Sequence, residues 1–234
     1  MIPLADHTAS LAELNPVVAA PVALPDRIYA VLKYRILTCS MLPGRRIAEK
    51  EICTELSVSR TPLREALNRL ALEGLIVITP YRGYAVAAVT VDSFRELCQL
   101  RRIVEPGAAA LAARTATAED IARLRGMADL AYTPGDRKTY ESYLRANSRF
   151  HHELVRCTHN RLLETVVMSA LDRHQRPLYL GLDVGLDDTA ATAEHRQIID
   201  ALEAHDAGRA HELMAQHIAG AEQRIVAALR AAGY

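Results

Sequence analysis

One stretch near the N-terminus, residues 46–86, constrains the fold more than any other part of the chain. Its central part has apolar residues at the spacing of a helix that buries one face: Leu63, Ala66, Leu67, Leu70 and Ala71. The segment before it offers a matching apolar surface at Ile47, Ile52 and Leu56, and only a short polar turn separates the two. This pattern predicts a helix-turn-helix.

A small β wing is predicted directly after these helices. Gly74 is suited to end the second helix, because glycine adopts the left-handed conformation that closes many helices. Two apolar runs follow, at 75–79 and 84–89, and a tight turn at 80–83 separates them. The arrangement predicts two short antiparallel strands.

Side-chain caps are expected at two helix N-termini. Ser59 or Thr61 is placed to cap the second helix of the helix-turn-helix. Asp92 or Ser93 is placed to cap the helix that follows the wing.

Several polar residues of the second helix lie off its apolar stripe, and the first two are at its N-terminus: Arg60, Thr61, Arg64, Asn68 and Arg69. In helix-turn-helix proteins this end of the second helix contacts base edges, and a bidentate contact from Arg to guanine is the commonest specific one. Arg82, in the turn of the wing, is expected beside the minor groove or a phosphate. The alternative is a solvated helix start whose charges serve solubility.

Length and charge favour two domains, one of them basic. The 234 residues have a formal net charge of zero, yet residues 25–90 contain ten Lys and Arg against six Asp and Glu. The basic surplus therefore lies in the predicted DNA reader. We assign residues 1–24 to a flexible leader, 25–90 to a winged helix-turn-helix domain and 91–234 to a second domain.

The second domain is predicted to be an all-helical bundle, which makes the fold class mainly α. From residue 91 onward no segment alternates with period two, and short breaks separate about six helical patterns. The four cysteines lack metal-site or disulfide-framework spacing, and no apolar run approaches the roughly 20 residues of a membrane helix. We therefore expect a reduced, cytoplasmic protein.

Three histidines of the bundle lie on apolar helix faces and should point inward. His151 shares a face with Asn147 one turn earlier, while His195 and His217 each lie on the apolar stripe of a later helix. Converging neutral imidazoles suit a divalent transition metal, with positions left for a carboxylate or water. The alternative is that each histidine is a hydrogen-bonded core residue.

The N-terminal half resembles the GntR family of bacterial transcriptional regulators. The resemblance rests on Pro43-Gly44, Ala48-Glu49, the run from Val58 to Leu67, Leu70, Gly74-Leu75 and Arg82-Gly83. It implies that the positions matching Lys50, Arg60, Thr61, Arg64 and Gly83 lie at the DNA.

The C-terminal half looks like the FCD effector domain of the FadR branch of that family. The matching segments are 100–106, 147–151 and Asn160. The resemblance implies a metal site at Asn147, His151, His195 and His217, with zinc or nickel as the expected ion and an amide in place of the family's carboxylate at the first position.

Arg101 matches the arginine that, in such domains, reaches into the effector cavity, where its guanidinium would hold a small organic acid. The alternative is a pair between Arg101 and Glu105 along an exposed helix.

Together these features predict a homodimeric repressor that binds a palindromic operator and responds to an organic acid. Two alternatives remain open from the sequence. A three-histidine site could serve a metal-dependent hydrolase, although no carboxylate stands at a signature spacing beside the histidines as a general base. A dimeric DNA-binding protein without a ligand would use the same histidines as core residues.

Overall fold

The computed structural model describes residues 23–129 and 131–234, and it divides the chain into two compact units with the boundary between Ala88 and Val89. The predicted leader falls almost entirely outside the described residues. The first unit contains three helices and two strands: α1 (Leu24–Leu37), α2 (Glu49–Leu56), α3 (Arg60–Leu72), β1 (Ile76–Thr79) and β2 (Gly83–Val86).

The predicted apolar stripe of α3 forms the centre of the first unit. Leu63, Ala66, Leu67 and Leu70 are completely buried, and they pack with Ile28 and Leu32 of α1 and with Ile52 and Leu56 of α2. Each fully buried leucine contributes about 1.5–3 kcal/mol to stability. Burial of this single face therefore fixes how the three helices pack.

The wing forms as predicted, with strands slightly shorter than the apolar runs. β1 and β2 are antiparallel, and their register pairs Ile76 with Val86 and Thr79 with Gly83. Gly74 ends α3 with a φ of +71°, and the amide of Leu75 donates to the carbonyl of Leu70 at 2.9 Å. This closure turns the chain directly from α3 into β1.

The second unit contains six helices among the described residues, which confirms the predicted helical bundle. They are α4 (Val91–Thr115), α5 (Ala118–Arg125), α6 (Arg137–Arg156), α7 (Arg161–Asp183), α8 (Ala190–Glu203) and α9 (Ala207–Ala231). No helix in the described part of the chain is long and apolar enough to cross a membrane.

Small side chains shape the core of the second unit. Ala108, Ala109, Ala112 and Ala113 of α4 are buried together in one apolar cluster. That cluster also contains residues of α6, α8 and α9, including Phe150, Leu202 and Met214. Because alanine adds little bulk at a helix contact, neighbouring helices can approach α4 closely. This packing accounts for a core that needs few aromatic residues.

The expected helix caps are wrong at both sites. Ser59 occupies the N-cap position of α3 but makes no side-chain cap hydrogen bond, and Thr61 lies within the helix. At α4 the cap is Thr90 rather than Asp92 or Ser93: its side chain accepts from the amide of Ser93, whose hydroxyl accepts from the amide of Thr90. This capping box satisfies two amides at the helix start.

We expect Thr90→Ala to lower the free energy of unfolding of the helical unit by about 1 kcal/mol, because it removes the cap acceptor. Urea denaturation followed by circular dichroism measures the change. Thr90→Ser keeps the acceptor and should retain most of the stability. Ser59→Ala should have little effect, since Ser59 makes no cap bond; equal losses in Thr90→Ala and Ser59→Ala would contradict this assignment.

Candidate metal centre and nucleic-acid interface

The structure brings together the three histidines that the sequence singled out. His151 on α6, His195 on α8 and His217 on α9 are all buried. One ring nitrogen of each lies within 4.8 Å of the others, and Nε2 of His151 is 3.3 Å from Nε2 of His217. Three helices that are distant in sequence therefore supply one cluster of nitrogen donors.

The donor set fits a divalent transition metal. Two imidazole nitrogens on one tetrahedral ion at about 2.0–2.1 Å would stand roughly 3.3–3.4 Å apart, and His151 and His217 already have this separation. Both ring nitrogens of His195 are buried without a hydrogen-bond partner, while its ring stacks on Phe150 with centroids 3.8 Å apart. Because a buried polar atom without a partner is costly, these nitrogens favour a ligand at this position.

Two carboxylates stand behind the histidines. Oε2 of Glu105 is 2.8 Å from Nδ1 of His151, and Oε2 of Glu194 is 2.6 Å from Nδ1 of His217. Since an ionised carboxylate only accepts hydrogen bonds, the hydrogen bond to Glu194 favours the proton on Nδ1 of His217 and leaves its Nε2 as an acceptor. The close approach of Glu105 favours the same tautomer in His151. The contacts orient lone pairs toward the centre of the cluster.

The sequence did not reveal these two carboxylates as neighbours of the histidines. The sequence pattern indicated Glu105 only as a partner of Arg101 and gave no signal for Glu194. Glu194 immediately precedes His195 in the chain, yet its contact is with His217 on the next helix. Helical periodicity gives the face of a residue on its own helix, but it does not identify the residue opposite.

Each carboxylate is in turn held by an arginine. Arg101 donates from Nε to Glu105 Oε1 at 2.5 Å and from Nη2 to Oε2 at 3.3 Å. Arg224 donates from Nη1 to Glu194 Oε1 at 3.1 Å and from Nη2 to Oε2 at 3.3 Å. Each arginine therefore contacts a glutamate that contacts a histidine of the cluster, and two such series of contacts meet there.

We call Arg101–Glu105–His151 the inner triad and Arg224–Glu194–His217 the outer triad, because their exposure differs. The side chains of Arg101 and Glu105 are 2% and 1% exposed, whereas those of Arg224 and Glu194 are 24% and 27% exposed. Arg101 and Glu105 form the ion pair that the sequence offered as an alternative. The expectation that this pair lies on an exposed helix face is wrong, because α4 buries that face in the bundle.

The electrostatics keep two of the histidines neutral. Burial lowers the pKa of His151 to about 4 against the opposing effect of Glu105, and burial lowers the pKa of His195 well below its ordinary value. Burial also opposes ionisation of Glu105, but Arg101 and His151 hold its pKa well below the ordinary value. Neutral imidazoles beside an ionised carboxylate are the protonation states that metal binding requires.

Asn147 is also buried, one turn before His151 on the same face of α6. Its side-chain carbonyl is the oxygen that the sequence predicted as the fourth ligand.

The predicted DNA-contacting residues are exposed on the first unit. Arg60 and Thr61 form the exposed first turn of α3, and Lys50 is exposed on α2. Arg64, also exposed, pairs with Glu49 of α2, with Nε 2.7 Å from Oε2. This pair connects α2 to α3 and limits the positions open to the Arg64 guanidinium.

The wing tip is exposed and is tied to the rest of the unit. Arg82 and Gly83 are exposed, and the left-handed φ of +78° at Gly83 lets the turn close. Nη2 of Arg46 donates to the carbonyl of Arg82 at 2.7 Å. By contrast, Arg69 of α3 pairs with Asp26 and stacks over Tyr29 of α1, so it belongs to the body of the unit.

Two family models match the chain. The model described as "FCD domain" matches residues 96–220, which is more than half of the chain, and the model described as "Bacterial regulatory proteins, gntR family" matches residues 24–86.

Curated relatives and a solved structure are similar to the chain. The Nta operon transcriptional regulator of Aminobacter aminovorans is 37% identical over 56% of this chain and 62% of its own length. The HTH-type transcriptional repressor RspR of Escherichia coli K12 is 28% identical over 88% of this chain and 89% of its own. The structure of E. coli McbR/YncC has a TM-score of 0.74 at 22% identity, covering 87% of this chain and 97% of that chain.

We expect Arg101→Ala to reduce the stability of the helical unit by about 3–5 kcal/mol, because it leaves the carboxylate of Glu105 buried without its cation. Urea denaturation measures the loss. The matched control is Arg145→Ala: Arg145 pairs with Glu141 at the same i, i+4 spacing, but it is 64% exposed. The control should cost less than about 0.5 kcal/mol. Similar costs for both variants would contradict the burial of the pair.

Proposed function

The chain belongs to the gntR family of bacterial regulatory proteins and carries an FCD domain after its winged helix, and we propose that it is a repressor whose operator affinity is set by a small organic acid. It is a transcriptional regulator and not an enzyme, as the sequence predicted. The hydrolase alternative is therefore set aside.

The DNA-binding surface comprises the start of α3 and the tip of the wing. Arg60, Thr61 and Arg64 meet the base edges and phosphates of the major groove, while Arg82 and Gly83 approach the adjacent minor groove. Lys50 of α2 contacts the backbone. This proposal is supported by the exposure of all six residues and by the docking geometry common to helix-turn-helix proteins. A cytoplasmic homodimer that presents two such surfaces matches a palindromic operator.

His151, His195, His217 and Asn147 hold a divalent transition ion, zinc or nickel. The observation that carries this part of the proposal is the convergence of three buried histidines, of which His195 has no hydrogen-bond partner on either ring nitrogen among the described residues. Asn147 offers a neutral carbonyl oxygen, which binds more weakly than a carboxylate. The bound ion supplies a positive centre for an anionic oxygen of the effector.

Arg101 holds the carboxylate of the effector. Its contacts with Glu105 use two of the five N–H bonds of the guanidinium, so Glu105 fixes its orientation and the other N–H bonds can donate to an acid. A planar guanidinium suits a carboxylate better than an ammonium group does, because it can donate two parallel hydrogen bonds.

Regulation requires that the acid binds more tightly to the form with low operator affinity. A hundredfold loss of operator affinity corresponds to about 2.7 kcal/mol of coupling free energy, and the operator must weaken acid binding by the same factor. This reciprocity separates the proposal from a DNA-binding protein that has no ligand.

We expect protein purified without added metal or an affinity tag, then dialysed against zinc or nickel, to retain about one ion per chain, and His217→Ala to lose it. Elemental analysis measures the content, and the melting temperature should rise with the ion in the wild type alone. His211→Ala is the matched control, because His211 lies exposed on the same helix, α9. If the folded wild-type protein bound no metal, the histidines would instead be core residues.

We expect Arg60→Ala to weaken operator binding by about 1–3 kcal/mol and to relax the preference at one base pair, because its guanidinium would read a base edge. Fluorescence anisotropy on duplexes that the wild type selects from a random pool measures both effects. Arg69→Ala on the same helix is the control and should bind almost normally. Equal losses on selected and random duplexes would mean that Arg60 contacts phosphate.

A further inference from the structure

The outer triad continues past the histidine cluster to the surface. We propose that Glu194 is a positioning residue of the metal site and that Arg224 connects this site to the loop between α7 and α8, residues 184–189. The inference rests on the metal site of the proposed function.

Glu194 determines where the ring of His217 points. A carboxylate oxygen 2.6 Å from Nδ1 accepts a hydrogen bond from the Nδ1–H group and opposes rotation of the ring. Fixing Nδ1 also fixes Nε2, which faces His151 at 3.3 Å. A carboxylate in this position also raises the basicity of the coordinating nitrogen.

Arg224 fixes the position of the Glu194 carboxylate. Its two terminal nitrogens contact the two carboxylate oxygens at 3.1 and 3.3 Å, which is the bidentate geometry that restrains both groups. Gly220, one turn earlier on α9, makes room for this contact, since a Cβ there would lie only 3.1 Å from Nη1 of Arg224. The guanidinium therefore occupies a space that a side chain at Gly220 would narrow.

The same guanidinium reaches the α7–α8 loop. Nε of Arg224 donates to Oδ1 of Asp188 at 2.9 Å, and Asp188 is buried. The hydroxyl of Tyr143 donates to Oδ2 of Asp188 at 2.5 Å. The hydroxyl of Tyr132 accepts from the amide of Asp188 and donates to the carbonyl of Leu186, both at 2.8 Å.

A surface cleft of about 300 Å³ lies where this loop meets α9. Arg224 lines it together with Gly185, Leu186 and Asp187 of the loop. Arg101 and Glu105 of the inner triad do not line this cleft, and their side chains are only 2% and 1% exposed. Through the outer triad, occupancy of the metal site is therefore linked to the order of this surface loop, and the link acts in both directions.

The first test measures zinc affinity of the full-length protein by competition with a chromophoric chelator. We expect Glu194→Ala to weaken zinc binding by about 10- to 100-fold, as loss of an outer-shell carboxylate does elsewhere. Glu194→Gln should weaken it less, because the amide oxygen still accepts from Nδ1. Glu203→Ala is the control: Glu203 lies on the same helix, and its carboxylate pairs with the exposed Arg125. Its zinc affinity should equal that of the wild type.

The second test follows hydrogen exchange of residues 184–189 with and without saturating zinc. Zinc should slow exchange in the wild type and in Arg209→Gln, an exposed arginine of α9 that pairs with Glu212. In Arg224→Gln, zinc should still bind but protect the loop much less. This readout does not depend on whether Glu194→Ala folds.

Unchanged zinc affinity in folded Glu194→Ala, or in Glu194→Gln should the alanine variant not fold, would overturn the positioning role. Unchanged loop protection in Arg224→Gln would overturn the connection to the loop. Zinc binding that is lost in His217→Ala but not in the Glu194 variants would leave the metal site standing and reject only this inference. A wild type that binds no zinc would reject both.

Discussion

The buried ion pair between Arg101 and Glu105 is the interaction on which the centre of the helical unit depends. Glu105 meets Arg101 on its own helix and His151 on α6, so one carboxylate joins α4 to α6 and sets the direction of a ring nitrogen. A charge in this position is stable only with its partner present. The position of His151 in the cluster therefore depends on the buried contact between Arg101 and Glu105.

The cores of the two units are organised in different ways. In the first unit a single apolar stripe on α3 organises the core, which leaves the opposite, polar face exposed. In the second unit the alanines of α4 allow close helix packing around the bundle core. Several buried polar groups occur there in matched pairs, whereas both ring nitrogens of His195 and Nε2 of His174 have no hydrogen-bond partner among the described residues.

The local sequence pattern was sufficient to predict the helix-turn-helix, the wing, the six helices and the inward direction of three histidines. Hydrophobic periodicity and turn residues can be read from residues that are close together in the chain. The predicted cap of α4 was two or three residues too late, since Thr90, Asp92 and Ser93 are all capping types and only the geometry selects one. Glu194 could not be predicted as the partner of His217, because that contact depends on how α8 packs on α9. The exposure of the Arg101 pair was mistaken for the same reason.

The two triads also set a charge balance for whatever binds between them. Within each triad the charges of the arginine and the glutamate cancel, and the neutral imidazoles of His151 and His195 add no charge. A divalent ion adds two positive charges, and Asp188, behind Arg224, offsets only one of them. An uncompensated charge in a buried site is unfavourable, and a carboxylate neutralises it. In the proposed function, ion and acid would then bind as one neutral set, and each would strengthen the binding of the other.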